Sequence, residues 1–141
     1  MRVKFFNITS HSLTDEQRKI VEGAGFEVVE LPEDLKKQWG NVPPDADSVC
    51  VAQLAVAVRC FITEKYEAYP SFALIQGEPV LCFDLAWMAA PVVPLAATTR
   101  RESIEVKQPD GSVAKQSVFK HVQFRPYKLY HASLVRKIGL A

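Results

Sequence analysis

Three polar clusters each follow an apolar run: Asn7 to Ser12, Gln76 to Glu78, and Thr98 to Arg101. Their residue types suit a phosphodiester. Hydroxyls and helix N-terminal amides receive phosphate oxygens, and the guanidinium groups of Arg100 and Arg101 supply fixed positive charge. A fourth stretch, Ser117 to Arg125, alternates. Strand spacing puts Val118, Val122 and Phe124 on one face with Lys120, and Phe119, His121, Gln123 and Arg125 on the other. The second face could offer His121 and Arg125 to an anion together with Arg100 or Arg101. Its plainer reading is a solvated hairpin face carrying ordinary charges.

Other chemistries find no support. Gly-rich dinucleotide and phosphate loops, a zinc-binding His-Glu pattern and a nucleophile elbow are all missing. His11, His121 and His131 are single histidines without the i to i+4 spacing that pairs ligands on a helix face, so no metal site is expected. Ser10 and His11 are adjacent in sequence, which does not make them a nucleophile and its base.

The elements that must position these residues can be read in order. Arg2 to Ile8 predicts a strand, and Thr14 with Gln17 has the spacing of a capping box opening a helix that ends near Gly23 and Gly25. Phe26 to Leu31 predicts a second strand, stopped by Pro32, and the stretch around Trp39 to Pro44 a loop or single helical turn. Ser48 to Tyr66 predicts a helix apolar nearly all round, which should be buried on more than one side. Ser71 to Ile75 predicts a third strand, Pro79 opens a helix reaching about Ala89, and Val92 to Ala97 predicts a strand ending at Thr98. Pro109-Asp110-Gly111 then turns a hairpin between Glu102 to Lys107 and Val113 to Arg125, with a short helix in Tyr127 to Ala141. The expected fold is α/β: one Rossmann-like domain over residues 1–141, with a mainly parallel open sheet and an appended C-terminal hairpin. Its carboxyl edge should gather the three polar clusters.

With 141 residues, 48% hydrophobic and 23% charged, the chain fits one globular domain. The formal charge of +1 argues against a long nucleic acid as partner. It is unevenly spread: residues 1–97 hold eight basic and thirteen acidic side chains, residues 98–141 nine and three. That asymmetry points to an anionic ligand near the C-terminal third. Cys50, Cys60 and Cys82 have no paired short spacing and read as core residues in a reducing compartment. No run reaches the roughly 20 apolar residues that span a bilayer, and no signal peptide is evident, so a cytoplasmic protein is expected.

A longer pattern runs from Asn7 to Tyr127. It comprises Ser10-His11-Ser12-Leu13-Thr14 with Gln17, Leu31-Pro32, Trp39 with Pro43-Pro44, and Ile75-Gln76-Gly77. Ala97-Thr98-Thr99-Arg100-Arg101 follows, and then Asp110-Gly111 leading into Val118 to Tyr127. The chain resembles the small stand-alone Csx proteins of type III CRISPR systems. It departs from them where Glu78-Pro79 follows Gln76-Gly77 in place of Asp and a Gly-containing stretch. The resemblance implies a CARF-related homodimer that binds a cyclic oligoadenylate, cyclic tetra-adenylate being the expected ring. It also implies a ring nuclease that linearises this messenger without metal or cofactor and switches off antiviral defence. On that reading Arg100, Arg101 and Lys120 contact phosphates, while Ser10, Thr98 and Thr99 orient the ring. Asn7, Gln76, Gly77 and Arg125 join the binding surface, and His11 or His121 assists proton transfer. The rival readings are a sponge or sensor that binds the ring without cutting it, and an interaction module assembling through the Ser48 to Tyr66 helix.

Overall fold

The computed structural model describes residues 1–141. Its centre is a five-stranded open sheet in the order β2-β1-β3-β4-β5, built from β1 (Lys4–Ile8), β2 (Glu27–Glu30), β3 (Phe72–Ile75), β4 (Val93–Lys107) and β5 (Val113–Pro126). The first four strands are parallel, and β5 returns antiparallel along β4. The helices are α1 (Asp15–Gly23), α2 (Glu33–Trp39), α3 (Ser48–Lys65), α4 (Pro79–Trp87) and α5 (Ala132–Ile138), the last preceded by one 3-10 turn at Leu129–His131. No helix is long and apolar enough to cross a membrane. The chain is thus an α/β fold with a mainly parallel sheet and a C-terminal hairpin, as its β-α-β patterning predicts.

Alternation along the strands splits the core into two layers. On the first face, Phe5, Phe72, Leu74, Leu95 and Phe124 pack under Leu13 and Val21 of the α1 region and Val135 of α5. Edge contacts between Phe5 and Phe124, and between Phe26 and Phe72, bind this layer together. On the second face, Phe6, Ile8, Ala73 and Ile75 pack under Trp39, Val51, Ala55, Val58, Ile62, Leu81 and Leu85.

Local signals place several ends as expected. The Thr14 hydroxyl accepts from Gln17 N–H while the Gln17 side chain accepts from Thr14 N–H, closing the capping box. Pro79 occupies the first turn of α4. Gly111, at φ +88°, turns the hairpin in the left-handed region.

Residues 40–44 form the expected loop; four other expectations are corrected, and one element is added. Residues 33–39, ahead of that loop, form a helix of two turns, which buries Trp39 and half-buries Leu35 one turn before it. α3 buries one stripe, Val51, Ala55, Val58 and Ile62, and leaves Val49 and Val56 open, because α2 and α4 flank it and nothing in the chain covers its outer side. Cys50 and Cys60 lie on that open side, so only Cys82 belongs to the core. β4 does not stop at Thr98: it runs on to Lys107 with β5 as its only neighbour after Leu95. Since β4 parallels β1 and β3, the hairpin stands beyond the carboxyl edge as a two-stranded arm, about 40 Å long at about 3.3 Å per residue. Finally, a bulge interrupts β5. Thr98 pairs with Gln123 but Thr99 pairs with His121, leaving Val122 as the extra residue. The bulge reverses the alternation, so His121 lies on the side of Phe124, ring centroids 4.5 Å apart, and Gln123 and Arg125 face the other way.

Candidate functional site

β1 sends its chain leftward through α1 to β2 and has β3 on its other flank, so the strand order reverses between β1 and β3. Crevices of open sheets form at such a point, beyond the carboxyl ends of the strands. Here a cleft of about 350 Å³ opens, lined by the loop Thr9 to Thr14 together with Asn7, Gln17, Gln76 and Gly77. A larger hollow lies at the opposite end of the sheet, around Met1, Arg2, Arg18 and Glu27, away from the convergent loops.

The β1-α1 loop is held from below. Asn7 is fully buried, and its side-chain amide donates to the His11 carbonyl at 2.8 Å and to Glu30 Oε2 at 2.9 Å. Thr9 Oγ1 lies 2.7 Å from the same His11 carbonyl and accepts from His11 N–H at 3.1 Å. Glu30 is in turn 3.7 Å from Arg18. Asn7 therefore spends its amide on loop geometry, and the exposed side chains of Ser10, His11 and Ser12 stand at the lip.

The second wall rests on α2. The Trp39 indole N–H donates to the Gln76 carbonyl at 2.8 Å, and a Cβ added to Gly77 would lie 2.7 Å from the indole nitrogen. Gly40 is equally crowded: a Cβ there would meet Ser10 Cβ at 2.8 Å. Trp39-Gly40 thus braces both loops of the cleft, and Gly77 serves that close approach. The missed helix α2 is the element that does this; its signal was Leu35 and Trp39 at i, i+4 spacing behind Glu33 and Asp34.

Both helix ends beside the cleft are already occupied. Thr14 caps α1, whose first turn carries Asp15 and Glu16, and the Glu78 carboxylate accepts from Val80 and Leu81 N–H at 2.9 Å. The α4 amides are therefore taken and α1 keeps only those of Asp15 and Glu16, behind two carboxylates, so the loop hydroxyls and cationic side chains are the groups that could meet an anion.

Those cations are on the arm. Asn7, Ser10, His11, Gln76 and Gly77 line the cleft; Thr98, Thr99, Arg100, Arg101, Lys120, His121 and Arg125 do not. Register and pleat divide the second group. Thr99, Arg101, Phe119 and His121 share the α1 side of the arm, while Arg100, Lys120 and Arg125 face the opposite side. Lys120 forms an exposed ion pair with Glu102 at 3.4 Å, and Thr98 donates to the Gln123 carbonyl across the ladder. The grouping of Arg100 and Lys120 with Arg101 and His121 is corrected accordingly: consecutive strand residues point apart.

His121 joins the arm to the cleft. Its Nδ1 lies 3.4 Å from Nε2 of Gln17, a cleft-lining residue. Because Gln17 Oε1 already accepts from Thr14, the Gln17 amide donates to Nδ1 and the imidazole proton sits on Nε2. That buried N–H has no acceptor. Burial pushes the His121 pKa below its ordinary 6.5, against a smaller upward pull from Glu16. His121 is thus a neutral imidazole wedged between Phe124 and α1.

No solved structure matches the chain. Residues 3–125, which contain the cleft and the whole arm, match the family described as the uncharacterized protein MJ1673 family. The chain is similar to the uncharacterized protein MJ1673 of Methanocaldococcus jannaschii, 31% identical over 133 residues that cover 90% of this chain and 98% of the relative. Two loops braced on Trp39, an arm anchored through His121 and this end-to-end likeness lie in one continuous stretch, and the chain belongs to the MJ1673 family.

Proposed function

We propose that the protein is a cytoplasmic, homodimeric ring nuclease with a Rossmann-like, CARF-related domain, which binds a cyclic oligoadenylate and linearises it. The observation that carries the reading is the hydroxyl- and amide-lined cleft at the strand-order reversal, flanked by an arm that bears Arg101, Thr99 and His121 on the α1 side. The cleft itself is lined by no lysine or arginine, so the arm is the source of positive charge. Two copies with carboxyl edges facing one another would meet a symmetric ring alike.

Cleavage needs little beyond positioning. The ribose 2′-hydroxyl attacks its own 3′-phosphorus, the bond to the neighbouring 5′-oxygen breaks, and the products are linear adenylates ending in a 2′,3′-cyclic phosphate. The proton lost from the 2′-hydroxyl and the proton gained by the 5′-oxygen balance. Ser10, Ser12 and Thr99 orient the ring, and Arg101 stabilises charge on the phosphorane. Of the two histidines, His11 at the exposed lip is the proton-transfer residue; His121, with Nδ1 held by Gln17, positions the arm.

Incubation with radiolabelled cyclic tri-, tetra- and hexa-adenylate in EDTA tests this. Linear products with a cyclic phosphate terminus are expected from at least one ring. Tight binding with every ring recovered intact would make the protein a sponge or sensor, and neither binding nor cleavage would remove the nucleotide reading.

A further inference from the structure

Three amide side chains line the cleft, and two of them are spent within the chain. Asn7 donates to the His11 carbonyl and to Glu30, and its oxygen lies 2.9 Å from the Thr9 hydroxyl. Gln17 accepts from Thr14 N–H and donates to His121. Gln76 keeps both ends of its amide free: its side chain is exposed at the cleft and makes no hydrogen bond within the chain. Its backbone, by contrast, is clamped. The Gln76 N–H donates to the Ile8 carbonyl at 3.2 Å, its carbonyl accepts from the Trp39 indole at 2.8 Å, and the preceding carbonyl, of Ile75, accepts from the Tyr127 hydroxyl at 2.6 Å. An unspent amide on a fixed backbone is presented at a defined place, so little freedom is lost when a ligand engages it.

We infer that Gln76 is the base-reading residue of the cleft, and that the base it selects is adenine. The inference rests on the nucleotide reading above and assigns that site its specificity. The other free polar side chains of the lining are the hydroxyls of Ser10 and Ser12 and the imidazole of His11. A hydroxyl rotates to donate or to accept, and so distinguishes bases poorly. A carboxamide instead fixes one acceptor beside one donor in a plane. Adenine answers that pair along one edge: its exocyclic amino group donates to Gln76 Oε1, and its ring nitrogen N7 accepts from Nε2. Guanine and hypoxanthine carry a carbonyl where adenine carries the amino group, so the same edge shows two acceptors. Gln76 Oε1 then faces a second acceptor with no hydrogen between them, and turning the amide over only moves the mismatch to N7.

Calorimetric titration of the full chain with cyclic tri-, tetra- and hexa-adenylate provides the starting affinities. The tightest ring is then remade with 7-deazaadenine, which lacks the N7 acceptor, and with hypoxanthine, which lacks the amino group. The parent chain should bind each remade ring about ten- to a hundredfold more weakly, as expected where a bidentate base contact is broken. Gln76→Ala, at an exposed position, should bind the adenine ring about as weakly and no longer distinguish the three. Gln76→Glu separates the two bonds. With an acceptor but no donor, it should still prefer adenine to hypoxanthine and no longer favour adenine over 7-deazaadenine. Each ratio compares ligands on one protein, so a general loss of stability cancels. A parent chain that binds all three rings alike overturns the inference and leaves the nucleotide reading standing. So does a Gln76→Ala chain that keeps the parent's discrimination. A parent chain that binds no adenylate ring of any size removes both.

Discussion

Residue 77 has no room for a side chain because Trp39 occupies the place: the indole nitrogen lies 2.7 Å from where a Cβ would stand and donates to the carbonyl of the preceding residue. Gly77→Ala forces either the buried indole or the β3-α4 loop to move. A loss of about 1–3 kcal/mol in chemical denaturation is expected, the range for overpacking a tight core. Trp39→Phe combined with Gly77→Ala should recover part of it, since the smaller ring vacates the contested space.

The proposed roles separate kinetically. His11→Ala should lower the single-turnover rate of ring opening by about a hundredfold or more with binding unchanged. Arg101→Ala should weaken binding by roughly ten- to a hundredfold, as expected for a charge-assisted phosphate contact. Arg100→Ala and Lys120→Ala, on the other side of the arm, should do neither. Equal losses in all four variants, measured with one labelled ring, would contradict the division of faces.

Inserting one residue between Thr98 and Thr99 gives Val122 a partner, closes the bulge and restores plain alternation between Phe124 and Val113. His121 then turns away from Phe124 and from Gln17. The aromatic shift of the His121 ring protons in NMR should disappear, and the order of the arm relative to α1 should fall.

Acid should destabilise the fold in a defined window. Burial lowers the pKa of His121, and of His131 with help from Lys128, below the ordinary 6.5. An unfolded chain takes up these protons near 6.5 and the folded chain only at lower pH, so the unfolded state binds more protons in between and stability falls as pH drops through that window. Above 6.5 neither group contributes. Asp47, Asp110 and Glu67 are shifted down by hydrogen bonds to backbone and side-chain groups, and act below their ordinary 3.8 and 4.5. His121→Gln with His131→Gln should flatten stability from 6.5 downward and leave the lower limb intact.

Thiol labelling should find two reactive cysteines in the folded chain. Cys60 is exposed and should react first; Cys50 follows more slowly, its pKa raised by the hydrogen bond to Asp47. Cys82 is buried with its pKa pushed up to about 11, and should react only on unfolding.

What could be read from the residues was what neighbours in sequence decide. The capping box of Thr14 and Gln17, the Pro79 start of α4 and the Gly111 turn rest on contacts within a few positions. The cleft residues Ser10, His11, Gln76 and Gly77 were legible because parallel strands bring their following loops to one edge. The arm was not, since a two-stranded ribbon in solvent needs no buried face, and Thr98 to Arg101 therefore looked like a loop. Nor was the bulge at Val122, which is a property of how two strands meet and leaves no mark on either alone. α3 misled through its composition: apolar residues surround it, but neighbours do not.

The arm has open backbone on both flanks. Past Leu95 the outer side of β4 has lost β3, and β5 never had a partner beyond β4, so both margins could accept a foreign strand. Along this stretch lie Arg100, Arg101, Lys107, Lys115 and Lys120. Like charges meeting edge to edge repel, so these cations, Arg101 among them, keep one ribbon from zipping onto another. Replacing them together to strip out ligand binding would leave a long sticky margin, and fibrils or precipitate would follow from a change designed to affect only the site.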